Sequence, residues 1–325
     1  MPDVFLTGGS GFVGGAVLRR FVAEGRSVRA LARSDRAAEA VAAHGAEPAR
    51  GDLHDGEALT AGIEGCDVVV HVGGLNENCL ADTRPLYRAN VDGTRAVVEA
   101  AGRVGARRVV VTSSAAAIGE PTGTVATEAT EHRGTFMTHY ERSKYLGERV
   151  ALAEGERLGL EVVVVNPSSV QGPGRTGGTA KILLAFLRGK LRYAVDTRLS
   201  LVSIGDTAEA HVLAADHGVP GERYIVSGAT LTLREALALL GEVTGEDHGV
   251  RFLPGRPVMA AATIVGGAFR MVRRQAPVCR EIVRIMLHGP AYDGSKITRE
   301  LGLSYTPLRE WVGETVAWYR TEGLV

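Results

Sequence analysis

The sequence predicts an α/β fold, in which a doubly wound parallel sheet is followed by a smaller, mostly helical C-terminal domain. Three observations lead to this prediction. A glycine-rich turn joins a strand to a helix near the start of the chain, five further apolar runs alternate with helical patterns, and the pattern becomes less regular beyond about residue 171. Unbroken apolar runs are typical of strands that helices cover on both faces. We therefore expect one domain over residues 1–170 and a second over 171–325, with an approximate boundary.

The glycine-rich turn follows an apolar run at residues 4–6 and opens a helix whose apolar residues recur at helical spacing from Val13 onward. Its glycines have the pattern Gly9-x-Gly11-x-x-Gly14. Glycine lets backbone N–H groups approach a phosphate, and the helix N-terminus behind the turn favours negative charge. An ordinary glycine-rich turn is the alternative, but the order strand, glycines, helix is the context that a dinucleotide-binding motif requires. We expect the first domain to bind a dinucleotide and the second to cover the carboxyl ends of the strands.

The other elements follow from the periodicity of apolar residues. In the first domain we predict strands at 27–32, 46–50, 66–71, 108–112 and 161–165, and helices at 55–62, 83–104 and 138–150. In the second domain we predict helices at 177–189, 207–217, 232–244 and 308–320, with short strands at 200–204 and 222–226. The longest apolar stretch, 258–269, is too short to span a bilayer and is expected to form a lid or core helix, with a membrane-surface helix as the alternative.

The end of the second strand is where such folds hold the adenosine ribose: an acidic residue binds the 2′-hydroxyl of NAD, and an arginine accommodates the 2′-phosphate of NADP. Arg33 follows this strand directly, whereas Asp35 falls in the expected loop beyond it. The pattern favours NADP, with NAD as the alternative and a solvated loop charge as the other interpretation of Arg33. At the end of the third strand, Asp52 is expected to accept a hydrogen bond from the adenine amino group while Leu53 packs on the ring; otherwise Asp52 caps the next helix.

Three residues have the chemistry of a carbonyl-reducing site. Tyr140 and Lys144 are four residues apart on a predicted helix and therefore share one face. An adjacent ammonium group favours the phenolate and lowers the tyrosine pKa. Ser114 follows the fifth strand and can hydrogen-bond the same carbonyl or hydroxyl oxygen. His71, at another strand end, is interpreted as a structural residue.

With these residues the chain resembles the extended short-chain dehydrogenase/reductase superfamily, of the NAD-dependent epimerase/dehydratase type. Within it the chain is most similar to the dihydroflavonol-reductase-like group and to hopanoid-associated sugar-epimerase-like proteins, over nearly its whole length. The matching motifs are Thr7-Gly8-x-x-Gly11-x-x-Gly14, Asp52-Leu53, His71-Val-Gly-Gly74, Asn90-x-x-Gly-Thr94, Ser114, Tyr140 with Lys144, and Asn166-Pro-x-x-Val-x-Gly-Pro173.

The resemblance implies a Rossmann fold and specific roles. Tyr140 would be the acid/base, Lys144 would bind the nicotinamide ribose and lower the tyrosine pKa, and Ser114 would orient the substrate oxygen. The implied cofactor-binding residues are Thr7, Gly8, Gly11, Phe12, Val13, Gly14, Arg33, Asp52, Leu53, Val72, Gly73, Gly74, Tyr140, Lys144, Pro167, Ser168, Ser169 and Val170.

The chain also departs from the family pattern. Gln171 stands where many extended members have tyrosine, and residues 115–117 are all alanine where sugar 4,6-dehydratases would have an Asp-Glu pair, which argues against dehydration. The sequence predicts an NADP-dependent reductase of a ketone or aldehyde. An epimerase of nucleotide sugars and a protein that binds the dinucleotide without turnover are the alternatives.

Composition limits the partners. Lys plus Arg and Asp plus Glu both number 37, and the sequence has no long basic run, so nothing favours nucleic acid or an anionic membrane. The three cysteines have no metal-ligand spacing, cannot all pair, and fit a reduced cytoplasmic setting. We find no basic-then-apolar leader. A small-molecule substrate is expected, and a homodimer is left open.

Overall fold

A computed structural model describes residues 3–271 and 279–325 of the chain. Its strands are, in chain order, β1 (Val4–Thr7), β2 (Val28–Ala32), β3 (Glu47–Arg50), β4 (Val68–His71), β5 (Arg108–Thr112), β6 (Glu161–Pro167), β7 (Ser169–Gln171), β8 (Tyr193–Ala194), β9 (Arg198–Ser203), β10 (Arg223–Val226), β11 (Ala229–Thr232) and β12 (Arg251–Phe252).

The central feature is a seven-stranded parallel sheet with the order β10-β6-β5-β4-β1-β2-β3. The direction of winding reverses between β1 and β4, which makes the sheet doubly wound and places a ligand crevice at their carboxyl ends. The predicted fold class and all six strands of the first domain are confirmed. The seventh strand, β10, comes from the predicted second domain, so this segment returns to the main sheet, and the boundary near residue 171 stays a prediction.

Helices flank the sheet and fill the C-terminal part. They are α1 (Phe12–Ala23), α2 (Asp35–Ala42), α3 (Gly56–Ile63), α4 (Arg84–Tyr87), α5 (Gly93–Val104), α6 (His139–Leu158), α7 (Ala180–Leu187), α8 (Ile204–His217), α9 (Leu233–Thr244), α10 (Gly255–Met271), α11 (Arg280–His288), α12 (Ser295–Leu301) and α13 (Leu308–Thr321). Two smaller sheets, β11-β9-β7 and β12-β8, accompany the C-terminal helices.

The core follows from the alternation of side chains along each strand. In β1, Val4 and Leu6 pack with α1 and α8 on one face, whereas Phe5 packs with α3 and α5 on the other. Because both faces are covered, every residue of β1 and β4 is buried and apolar except the last in each strand. Those last residues, Thr7 and His71, are the first polar groups at the ligand edge.

The segment predicted as a single helix over 83–104 is helical from residue 84 to residue 104, but it is not a regular α-helix throughout. The structure has α4, then a π-helical turn at Arg88–Asp92, and then α5. The reason is tertiary: Asn90 turns its side chain toward Leu75, from which it accepts at 2.8 Å and to which it donates at 2.9 Å, and also donates to Ser143 at 2.9 Å. π turns of this kind are frequent at functional sites.

The apolar stretch at 258–269 lies within α10, as a helix, and Ile264 on it is 74% exposed. In the part of the chain that the structure describes, none of the helices combines the length and apolar character needed to cross a bilayer.

Candidate active site

The glycine turn forms a tight cradle between β1 and α1. Gly8 has φ +78°, and a Cβ on it would lie 2.8 Å from the backbone nitrogen of Gly73. A Cβ on Gly14 would overlap the carbonyl oxygen of Gly8. Gly11 is the N-cap of α1, and among the described residues no side chain caps this helix. The first turn of α1 can therefore present its N–H groups to an anion, and the residues present fit a dinucleotide pyrophosphate.

The His71 ring is hydrogen-bonded to Thr7, the residue that precedes the glycines of this cradle. Its Nδ1 lies 2.7 Å from Thr7 Oγ1 and its Nε2 lies 3.1 Å from Thr94 Oγ1. Burial, together with the charge of Lys144, lowers the pKa of His71 to about 3, so the imidazole is neutral. Thr7 also accepts a hydrogen bond from the Gly73 nitrogen at 3.0 Å, which holds the segment Val72–Gly74 against the glycine turn. The structural interpretation of His71 agrees with this geometry.

At the adenosine end, Arg33 follows β2 and is exposed, with no ion pair to any residue of the described ranges. Asp35 lies in α2 rather than in the expected loop, because Ser34 caps that helix and accepts from the Ala37 nitrogen. The Asp35 carboxylate pairs with Arg50 at 2.5 Å. Arg33 is therefore a basic side chain that remains available at the strand end.

Asp52 and Leu53 follow β3. The Asp52 carboxylate accepts from the His54 nitrogen at 3.1 Å, whereas the N-cap of α3 is Asp55, which accepts from Ala58. The capping role considered for Asp52 is therefore taken by Asp55. Leu53 reaches toward Gly73, where an added Cβ would lie 3.3 Å from Leu53 Cδ1.

Ser114, Tyr140 and Lys144 come together at the carboxyl end of β5. Ser114 begins a 3₁₀ turn after β5, and Tyr140 is the second residue of α6. The Lys144 ammonium, one helical turn further on, donates to the Thr112 carbonyl at 3.0 Å. Thr138 caps α6 through the Glu141 nitrogen, which fixes the start of the helix where Tyr140 lies.

Burial and nearby groups shift the pKa values of Tyr140 and Lys144. Burial raises the pKa of Tyr140, while a hydrogen bond from Ser114 and the positive charge of Arg175 act in the opposite direction. Burial lowers the pKa of Lys144 to about 8, with Glu148 opposing the shift. Arg175 is therefore a second cation near Tyr140, and the effect of Lys144 on the tyrosine pKa stays a prediction.

A buried network supports the cluster. Asn166 donates to the Ser114 carbonyl at 3.1 Å and to Glu148 at 2.8 Å. Arg223 donates to the other oxygen of Glu148 at 3.1 Å. Asn166 stood in the sequence motif without a role, and Glu148 was missed, although its position four residues after Lys144 could have indicated it.

The segment after β6 lines the same crevice. Ser168 donates its backbone N–H to the Val226 carbonyl at 2.9 Å, and its hydroxyl is buried without a partner among the described residues. Gln171 is fully buried and donates to Ser169 Oγ at 3.1 Å. Pro167 ends β6 and Val170 lies in β7, so the expected nicotinamide-facing residues lie together at this edge.

A disulfide that the sequence analysis did not predict joins the loop after β4 to the start of α11. Cys79 and Cys279 are 200 residues apart in sequence, while Cys66 is free and buried. The Glu281 carboxylate accepts from the backbone nitrogens of Cys79, at 2.8 Å, and of His139, at 3.1 Å. This region therefore ties the loop to the residue that precedes Tyr140.

A glycine turn that fits a pyrophosphate, at the switch point of a doubly wound sheet and with a tyrosine and a lysine beside it, is typical of a Rossmann enzyme that uses a dinucleotide. A family model described as the NAD dependent epimerase/dehydratase family matches residues 4–227, and the chain belongs to this family.

The relatives are named enzymes. "Sterol demethylase protein B" of Methylococcus capsulatus is 32% identical and the match covers 98% of this chain and 99% of the relative. A candidate dihydroflavonol 4-reductase of Synechocystis is 32% identical over 99% of this chain and 95% of its own. A 4-hydroxy-2-methyl-3-oxo-4-farnesyl-3,4-dihydroquinoline-1-oxide ketoreductase of Stigmatella aurantiaca is 33% identical over 92% and 90%.

Among solved structures, the crystal structure of gox2253 superposes with a TM-score of 0.86 at 29% identity and covers 100% of both chains. The extended short-chain resemblance is therefore confirmed, and the protein is an NAD(P)-dependent enzyme of this family.

Proposed function

We propose that the protein is an NADP-dependent oxidoreductase that reduces a ketone or aldehyde, or oxidises the corresponding alcohol. The observation that carries the proposal is the meeting of Ser114, Tyr140 and Lys144 beside the glycine cradle. The ketoreductase and the dihydroflavonol-reductase-like protein among the relatives support this direction of chemistry.

The cofactor would lie with its pyrophosphate on the turn from Thr7 to Gly14, a cradle that has no room for side chains at Gly8 and Gly14. When bound, a nicotinamide supplies the hydride. Arg33 supports NADP over NAD because it is exposed at the strand end, while Asp35 is engaged by Arg50. Lys144 would hold the nicotinamide ribose, and the segment Pro167–Val170 would line the ring.

The protein's own residues would handle the proton. In reduction, Tyr140 donates its phenolic proton to the carbonyl oxygen, which becomes the alcohol, and Ser114 orients the same oxygen. A raised pKa keeps Tyr140 protonated until transfer. The phenolate left behind is stabilised by the Ser114 hydrogen bond and the Arg175 charge, and it takes its next proton from solvent.

An epimerase acting on a nucleotide sugar is the second candidate, because the family includes epimerases. The alanines at 115–117 bear only on dehydration, whereas the exposed Arg33 suits an exchangeable NADP and so supports the reductase over the epimerase. The division into domains 1–170 and 171–325, the cytoplasmic setting and a homodimer are also proposals.

The test is cofactor content and turnover of the purified full chain. We expect the protein to be largely free of cofactor and to oxidise added NADPH only when a ketone or aldehyde is supplied. Tyr140→Phe should bind NADPH nearly as the wild type does while losing turnover by about 100-fold or more. Tightly bound NAD that resists dialysis, with interconversion of UDP-hexoses and no net redox change, would overturn the proposal in favour of the epimerase. Turnover that survives in Tyr140→Phe would remove Tyr140 from its role and direct attention to His139, whose ring contacts Tyr87.

A further inference from the structure

The reductase chemistry proposed above uses the charge of Arg175 to stabilise the phenolate, but it assigns no bound ligand to this side chain. Arg175 lies in the loop between β7 and α7, and it forms no ion pair within residues 3–271 and 279–325. Its Nε is buried and has no hydrogen-bond partner there. A half-buried guanidinium without a counter-ion is costly to keep, so its position calls for an anion that the chain itself does not provide.

The loop holds Arg175 firmly. The Tyr319 hydroxyl of α13 donates to the Arg175 carbonyl at 2.8 Å, and the Arg175 nitrogen donates to the Gly172 carbonyl at 3.1 Å. An added Cβ on Gly178 would lie 3.0 Å from the guanidinium, so a larger residue there would press on this side chain. The backbone of Arg175 is therefore positioned by the C-terminal part of the chain.

The guanidinium is directed toward the reaction site. Its Cζ lies 5.3 Å from the centre of the Phe12 ring, at the start of α1. Its charge reaches Tyr140, where it counteracts the effect of burial on the phenol pKa. Arg175 thus contacts the first residue of α1 and lies close enough to the proposed proton donor for its charge to act there.

Two anions could meet the guanidinium there: the cofactor pyrophosphate or an acidic group of the substrate. The glycine turn and the N-terminus of α1 already provide donors for a pyrophosphate, and Arg175 is held by the loop and α13 rather than by that turn. We propose that Arg175 binds a carboxylate of the substrate, so that the enzyme prefers oxo acids, whose carbonyl meets Tyr140 while the carboxylate pairs with the guanidinium. This inference rests on the proposed reductase function.

The experiment compares acetoacetate with its methyl ester, which keeps the ketone and removes the charge, in the wild type, Arg175→Gln, Arg175→Lys and the control Arg192→Gln. Arg192 is an exposed arginine. We expect Arg175→Gln to raise KM for acetoacetate by roughly 10- to 100-fold and KM for the ester by less than about 3-fold, whereas a loss in kcat from the weaker stabilisation of the phenolate should be the same for both substrates. Arg175→Lys should reverse part of the rise in KM, and Arg192→Gln should behave as the wild type does. The NADPH dissociation constant, measured without substrate, should stay within about 2-fold in every variant.

The other outcomes are decisive. A loss of about 10-fold or more in NADPH binding by Arg175→Gln assigns the guanidinium to the pyrophosphate and overturns the inference. Equal rises in KM for acid and ester, or a wild type that reduces neutral ketones but not acetoacetate, also overturn it while leaving the reductase function intact. A wild type that binds NADPH and reduces no carbonyl compound refutes the proposed function itself.

Discussion

The disulfide between Cys79 and Cys279 should contribute strongly to stability because it closes a very long loop. The two residues are 200 positions apart. A cross-link of that span removes roughly 18 cal/mol/K of chain entropy from the unfolded state, or about 5 kcal/mol near room temperature. In the folded protein the same contact is also held by Glu281, which accepts from the Cys79 nitrogen. Reduction should therefore destabilise the protein mainly by raising the entropy of the unfolded chain, while the folded structure changes little.

The assay is urea denaturation of the wild type and of Cys79→Ser, each with and without reductant. We expect reductant to lower the free energy of unfolding of the wild type by up to about 5 kcal/mol and to leave Cys79→Ser unchanged. Thiol titration of the denatured, unreduced wild type should find one thiol, Cys66. Three reactive thiols in that titration, or an equal effect of reductant on both proteins, would refute the reasoning. A reducing cytoplasm keeps cysteines as free thiols, so the same titration on fresh lysate also tests the predicted localisation.

Three further changes test the cofactor site. Gly14→Ala should weaken NADPH binding by about 10-fold or more in a fluorescence titration, because its Cβ would overlap the Gly8 carbonyl; unchanged affinity would contradict the cradle. Arg33→Ala should weaken NADP by about 10-fold and NAD by less than about 2-fold, and equal weakening would remove Arg33 from the 2′-phosphate. Since the pKa of Lys144 lies at about 8, its charge is lost as the pH rises through that value. We therefore expect kcat/KM to fall above about pH 8 in the wild type but not in Lys144→Arg, whose guanidinium stays charged; a profile that stays flat in the wild type would show that this charge is dispensable.

Much of the fold could be predicted because it depends on local patterns. The runs at residues 4–6 and 109–111 are apolar without interruption, and that pattern is typical of a strand buried on both faces. Glycines mark the turn between β1 and α1, and the structure shows that a Cβ would not fit at Gly8 or Gly14. Tyr140 and Lys144 could be placed on one helix for the same reason, and the structure confirms that helix.

The features that were missed depend on contacts between distant parts of the chain. The π turn at Arg88–Asp92 follows from Asn90, whose partners Leu75 and Ser143 lie 15 and 53 positions away. No local pattern predicts that Cys79 pairs with Cys279, because the sequence around each cysteine does not show which distant segments lie together in the fold. Strand β10 was predicted, but its place beside β6 in the main sheet is again a long-range property.

The same distinction explains the electrostatics at Tyr140. A helix places Lys144 one turn from Tyr140, but the lysine side chain reaches to the Thr112 carbonyl, and burial lowers its pKa. Arg175, from a loop that α13 holds, adds a positive charge near the phenol. A proton donor for reduction must keep its proton before transfer and tolerate the phenolate afterwards. Burial favours the first condition, and the charge of Arg175, a residue that follows β7 and is held by α13, favours the second.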